Sequence, residues 1–263
     1  MCRGKFCLTA IGCALLLGLP ARALPLLQLD IGGGAYDDAT DTVVATSTAF
    51  DLYALIDTRS SKYAAATTTG TSGFFLAAAI TPQGTPLTAP FGSFTITRGS
   101  TTTTYSLASG NMAYGTPPVD LQDIDSAEAY SALTDWNVPE YSKDLQSHSI
   151  YNTSFAQVAF NFSTANKAAA YNVQNSPGGF TASLTGPLLY EKFSVDISGL
   201  SPGYTVHFDL FKLKANGTDI MYFAPFSHDA ESGPGHEVGE GGTTLVLIGA
   251  VLMVLAGLRS WRR

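Results

Sequence analysis

Through the middle of the chain, apolar and polar residues alternate every second position in several stretches. Phe50, Leu52 and Ala54 share one face, and Asp51 lies off it. Within residues 154–163, Ala156, Val158, Phe160 and Phe162 oppose Phe155, Gln157, Ala159 and Asn161. Residues 204–211 set Val206, Phe208 and Leu210 inward and leave Thr205, His207 and Asp209 outward. A period of two is the pleat of a half-buried strand. Five more strands are expected at 26–31, 73–80, 92–97, 102–107 and 190–197. Turn signals separate them: Gly32-Gly33-Gly34, Pro82-Gln83-Gly84, Arg98-Gly99-Ser100, Ser176-Pro177-Gly178-Gly179 and Ser201-Pro202-Gly203. One helical piece is expected at 125–133, with Asp125 as N-cap and Glu128 three residues on. Many short strands and a single helix predict an all-β body, an antiparallel β-sandwich of jelly-roll type.

The pattern changes at both ends. Arg3 and Lys5 precede an apolar run over 6–19, followed by Pro20-Ala21-Arg22-Ala23. This is the layout of a signal peptide, residues 1–23, with Ala21 and Ala23 read by signal peptidase and cleavage after Ala23. All three cysteines (Cys2, Cys7, Cys13) fall inside it. The exported body then holds no disulfide and no thiolate, as suits a bacterial protein stabilised by an ordinary core. At the other end, residues 243–258 carry no charge and precede Arg259, Arg262 and Arg263. As a helix this run would reach roughly 24 Å, against a hydrocarbon core of about 30 Å. Snorkelling arginines extend it and hold the end in the cytoplasm. The expected organisation is a signal peptide at 1–23, an extracellular sandwich at 24–226, a Gly/Pro-rich linker at 227–242, a transmembrane helix at 243–258 and a basic tail at 259–263. A GPI signal would end in apolar residues instead.

Charge sharpens the picture of the body. Residues 24–242 hold eight cations against all 21 acids, hence −13, where the whole chain is −7. So acidic a surface excludes nucleic acid and anionic headgroups as partners. Divalent cations and neutral polymers remain. Asp30, Asp37, Asp38 and Asp41 gather around the triple glycine, and Asp120, Asp123, Asp125 and Glu128 form a second group. Oxygen ligands on loops suit Ca²⁺, and the first group is the favoured site; neither has EF-hand spacing. Loop aspartates also cap turns without any ion. Of the four histidines, His207 shares a strand face with Asp209, and His228 is followed by Asp229. Such pairs can orient a base or a metal ligand, or can simply face water. No His-Glu-x-x-His or P-loop is present, and no catalytic residue is assigned. Tyrosines, phenylalanines and Trp136 offer sugar-stacking surfaces, and a two-carboxylate glycosidase would leave no sequence signature.

Two resemblances complete the reading. Val238-Gly239-Glu240-Gly241-Gly242-Thr243-Thr244, with the apolar run and basic end, resembles the PEP-CTERM class of sorting signals, in the variant whose motif begins Val-Pro-Asp-Ser-Gly. Gly239 stands where that motif has proline, and Glu240 where it has aspartate. The resemblance implies an exosortase-type enzyme as processing partner in a Gram-negative bacterium that makes exopolysaccharide. The stretches GGGAYDDATDTVVATSTAFDLYALI, YNVQNSPGGF, FSVDISGLSPGYTVHFDL and FAPFSHDAESG are similar to the bacterial choice-of-anchor N proteins. That implies a surface-anchored domain and no assigned activity. The expected function is therefore an exported, envelope-anchored or exopolysaccharide-associated protein with a structural or adhesive role. A calcium-dependent carbohydrate-binding module is the alternative, and a secreted hydrolase the second.

Overall fold

A computed structural model describes residues 24–68, 73–82, 84–115, 117, 153–213, 215, 220–225 and 228–233. In chain order its strands are β1 (Leu27–Ile31), β2 (Ala35–Asp37), β3 (Thr42–Val44), β4 (Ala49–Asp57), β5 (Phe74–Thr81), β6 (Ser93–Arg98) and β7 (Thr101–Ser106). Then follow β8 (Ala113–Gly115), β9 (Thr153–Phe160), β10 (Lys167–Ala168), β11 (Leu188–Asp196), β12 (Thr205–Leu213), β13 (Ile220–Phe223) and β14 (Ala230–Ser232). A short helix, α1 (Tyr63–Thr68), and a 3-10 turn at Leu107–Ser109 are the only helical elements among the described residues. The class is all-β. The signal peptide, the helix expected at 125–133, the second acidic group, Trp136, the sorting motif and the basic tail lie outside the described residues.

Two sheets form. Sheet A runs β1-β4-β11-β6-β7 with β10 beside β11, antiparallel throughout. Sheet B runs β2-β3-β14-β12-β5-β9-β8 with β13 also pairing β12. It is mixed, because β14 lies parallel to β3. The inner faces meet in one apolar cluster that takes Leu52 and Phe193 from sheet A and Leu76, Phe208 and Leu210 from sheet B. Phe50 meets Phe208 edge-on at 6.2 Å between centroids, and Phe160 meets Phe193 at 5.2 Å. Fully burying each such ring stabilises by about 1.5–3 kcal/mol, and edge contacts add about 0.5–1.5. These cross-sheet contacts hold the sandwich together.

All eight expected strands are present, with ends displaced by three residues or fewer. The six that the pattern missed (β2, β3, β8, β10, β13, β14) have two to four residues, too few for a period to register. Helix α1 was also unexpected. One boundary needs correction. The linker was expected to begin at 227, yet His228, Asp229, Ala230 and Ser232 are buried and β14 is inserted between β12 and β3. The body therefore reaches at least Gly233. Its glycines and proline resemble a linker, but Ala230 fills a place in the core and Ser232 accepts the Val206 N–H at 2.7 Å.

Candidate functional site

Strand β12 is buried along its whole length. Val206, Phe208 and Leu210 join the shared core as the alternation requires, which leaves His207 and Asp209 on the opposite face of sheet B. That face was expected to meet water. It does not: His207 and Asp209 are each 1 % exposed, and Ala77, Ala79 and Phe155 on the neighbouring strands are equally buried. Alternation separates two faces of a strand, but it cannot tell a covered outer face from a wet one.

Register brings in the third group. Phe208 pairs with Ala230 and His207 with Glu231, so Asp229 at the entrance of β14 lies across from Asp209. His207 Nε2 is 3.2 Å from Asp229 Oδ2 and 3.5 Å from Asp209 Oδ1. Among the described residues, this is the one group of three His, Cys, Asp or Glu side chains whose ligand atoms all lie within 4.8 Å of one another. Thr42, also buried, places its hydroxyl beside Asp229. On β5, Asp209 and His207 are flanked by Ala77 and Ala79, whose small side chains leave the carboxylates room.

The electrostatics follow from enclosure. Burial alone would pull His207 down, but the carboxylates of Asp229 and Asp209 outweigh it and hold the imidazole well above its ordinary range. Burial pushes Asp229 up to about 7, with His207 acting in the opposite direction. His228, next in the chain, is driven down to about 4 by burial, and its Nε2 lies 3.2 Å from Asn172 Oδ1. The cluster thus combines one imidazole and two carboxylates in a space closed to solvent. It can share protons or hold a cation, and no substrate reaches it as it stands.

One of the four expected calcium ligands is also buried. Asp30, in β1, is fully buried; its Oδ1 accepts the Gly178 and Ile31 N–H groups at 2.7 and 2.9 Å, and its Oδ2 accepts the Tyr171 hydroxyl at 2.7 Å. Burial raises its carboxyl, and these bonds partly offset the rise. Gly178 has φ +65°, and a Cβ there would stand 2.9 Å from the Gly34 oxygen. Only glycine lets this loop close over Asp30. The calcium group is not assembled. Asp30 belongs to sheet A with both oxygens engaged, whereas Asp37, Asp38 and Asp41 are exposed on or beside the β2–β3 hairpin of sheet B. Asp37 caps the Ala39 N–H at 2.9 Å, and Asp41 accepts from Tyr36 at 3.5 Å.

Segments distant in the sequence meet here. Gly178 reaches Asp30, Asn172 reaches His228, Gln174 reaches Tyr36, and His207 reaches Asp229. Sequence had singled out the pairs His207/Asp209 and His228/Asp229 separately. What it lacked was β14, which returns Asp229 to β12. Compared with known proteins, the chain matches no family model, no curated protein and no solved structure.

Proposed function

We propose that this chain is an exported bacterial surface protein of the choice-of-anchor kind, with a jelly-roll-like sandwich as a structural or adhesive module and no catalysis. Residues 1–23 direct export. Residues 238–244 are the motif for an exosortase-type enzyme, residues 243–258 span the membrane, and Arg259, Arg262 and Arg263 keep the end inside. One observation supports this reading: the first and last described strands stand clear of the two expected signals. Strand β1 opens at Leu27, four residues after Ala23, and β14 closes at Ser232, six residues before Val238. Both strands are buried in the sandwich, so processing at either signal would leave every described strand whole.

Intact-mass measurement of the protein released from the cell surface tests this. The expected mass starts at Leu24 and lacks Arg263. A surface form that retains Met1 or the full C-terminal tail would contradict the reading.

A second reading, binding of a neutral exopolysaccharide, is favoured by the outer face of sheet A. There Tyr53 stacks on Phe180 at 3.7 Å, Tyr190 meets both edge-on, and Lys192 pairs with Asp51 at 2.7 Å beside them. Half-buried rings edged by charged groups offer the stacking and hydrogen bonding that sugars use. Retardation in polysaccharide-containing gels, lost on Tyr190→Ala, would support it; unchanged mobility across neutral polysaccharides would remove it.

A further inference from the structure

We propose that His207, Asp209 and Asp229 are the side-chain ligands of a divalent first-row transition ion, with zinc as the representative, which pins β14, the last described strand, to β12. The inference stands on the cluster's geometry and does not depend on the export reading.

Distances are the first argument. Ligand atoms bound at 2.0–2.2 Å around one tetrahedral ion stand roughly 3.3–3.6 Å apart. The imidazole nitrogen lies 3.2 and 3.5 Å from one oxygen of each carboxylate. Both separations match that spacing, and the three ligand atoms all lie within 4.8 Å of one another.

Charge is the second argument. Two carboxylates enclosed together need protons or positive charge between them, and a divalent ion neutralises both at once. The nitrogen ligand selects among ions. Imidazole suits zinc and its neighbours, whereas calcium and magnesium take oxygen shells. The same chemistry separates this cluster from the all-aspartate loop of the β2–β3 hairpin.

Position gives the ion a task. Strand β14 has three residues and leads into the C-terminal segment that the sequence reads as the anchor. It is paired on one side to β12 and on the other to β3. The cysteines all lie within the first 13 residues, so no disulfide ties the last strand to the body. An ion shared by β12 and the entrance of β14 supplies that tie, because binding only to the folded arrangement adds directly to folding stability.

The test uses the tag-free full chain in mild detergent, stripped with a chelator and then titrated with Zn²⁺ or Ca²⁺ by calorimetry and by thermal unfolding. One zinc per chain is expected. At about 100 times its dissociation constant, zinc should raise Tm by roughly 5–10 °C for a body of this size. Asp229→Asn and His207→Gln should each weaken zinc binding by tenfold or more, while Asp37→Asn, on the exposed hairpin, should leave it unchanged. Wild-type protein that takes up no zinc, calcium that stabilises as much as zinc, or Asp229→Asn that binds as tightly as wild type would each overturn the proposal. Should the site variants fail to fold, the two wild-type titrations still decide it.

Discussion

Among the described residues, Asp30 and the His207 centre are buried acidic groups that the sandwich satisfies in different ways. Asp30 is a single carboxylate met by neutral donors: two backbone N–H groups and one tyrosine hydroxyl, all at 2.7–2.9 Å. Its needs are complete within the chain, and its effect is to clamp the loop over residues 171–178 onto sheet A. At the His207 centre, charged groups face one another at 3.2–3.5 Å. Its balance depends on a proton or a cation, so its stability should respond to divalent metal, to which Asp30 should be indifferent. A buried carboxylate is therefore not by itself a sign of function. Neutral donors around a carboxylate make a structural anchor, and facing charged groups make a candidate site.

The largest effect expected to separate the two centres is at His207. His207→Ala leaves Asp209 and Asp229 facing each other without a cation, an error worth about 3–5 kcal/mol in a buried ion group. Urea unfolding measures it, and a loss below about 1 kcal/mol would erase the contrast. Asp30→Ala comes next. It strips the acceptor from the Gly178 and Ile31 amides and from the Tyr171 hydroxyl, with an expected cost of about 2–4 kcal/mol. That loss should be the same with and without chelator, whereas a chelator-dependent loss would move Asp30 into the metal account.

Solution pH gives a smaller and more diagnostic difference. In metal-free protein, His207 titrates well above its ordinary range, so its stabilisation is complete below about pH 6.5 and fades as pH rises through the folded value. Asp229, pushed to about 7, binds an extra proton in the fold between about pH 4 and 7, so its contribution also falls as pH rises. His228, held near 4, acts in the opposite sense over about pH 4–6.5 and then drops out. Above pH 6.5 the falling trend remains alone. Thermal unfolding of chelated protein should show Tm declining from pH 6.5 to 8.5. Zinc should flatten or reverse that decline, because the ion displaces the same protons. A rising Tm in chelated protein would contradict the assignment of charges. The smallest effect is Asp37→Asn, expected within about 0.5 kcal/mol of wild type by urea unfolding and insensitive to zinc.

Much of the fold could be read from alternation, because burial on one face of a long strand writes itself into every second residue. Strands β4, β5, β9, β11 and β12 have eight or nine residues each, enough for that signal. Strand β14 has three, in a stretch whose glycines and proline look like a linker, and its pairing with β12 and β3 is wholly non-local. That one omission hid the site, since Asp229 meets His207 only after β14 is in place. The acidic group at Asp30, Asp37, Asp38 and Asp41 is not brought together, for the converse reason. Neighbours in sequence were divided between two sheets when the chain crossed from β1 to β2.

The most direct measurement is anomalous scattering at the zinc edge from crystals of the protein grown with zinc. The expected result is a single peak about 2.0–2.2 Å from His207 Nε2, Asp209 Oδ1 and Asp229 Oδ2. No peak should appear beside Asp30. A featureless map at the cluster, with the three side chains drawn into direct hydrogen bonds near 2.8 Å, would contradict the account.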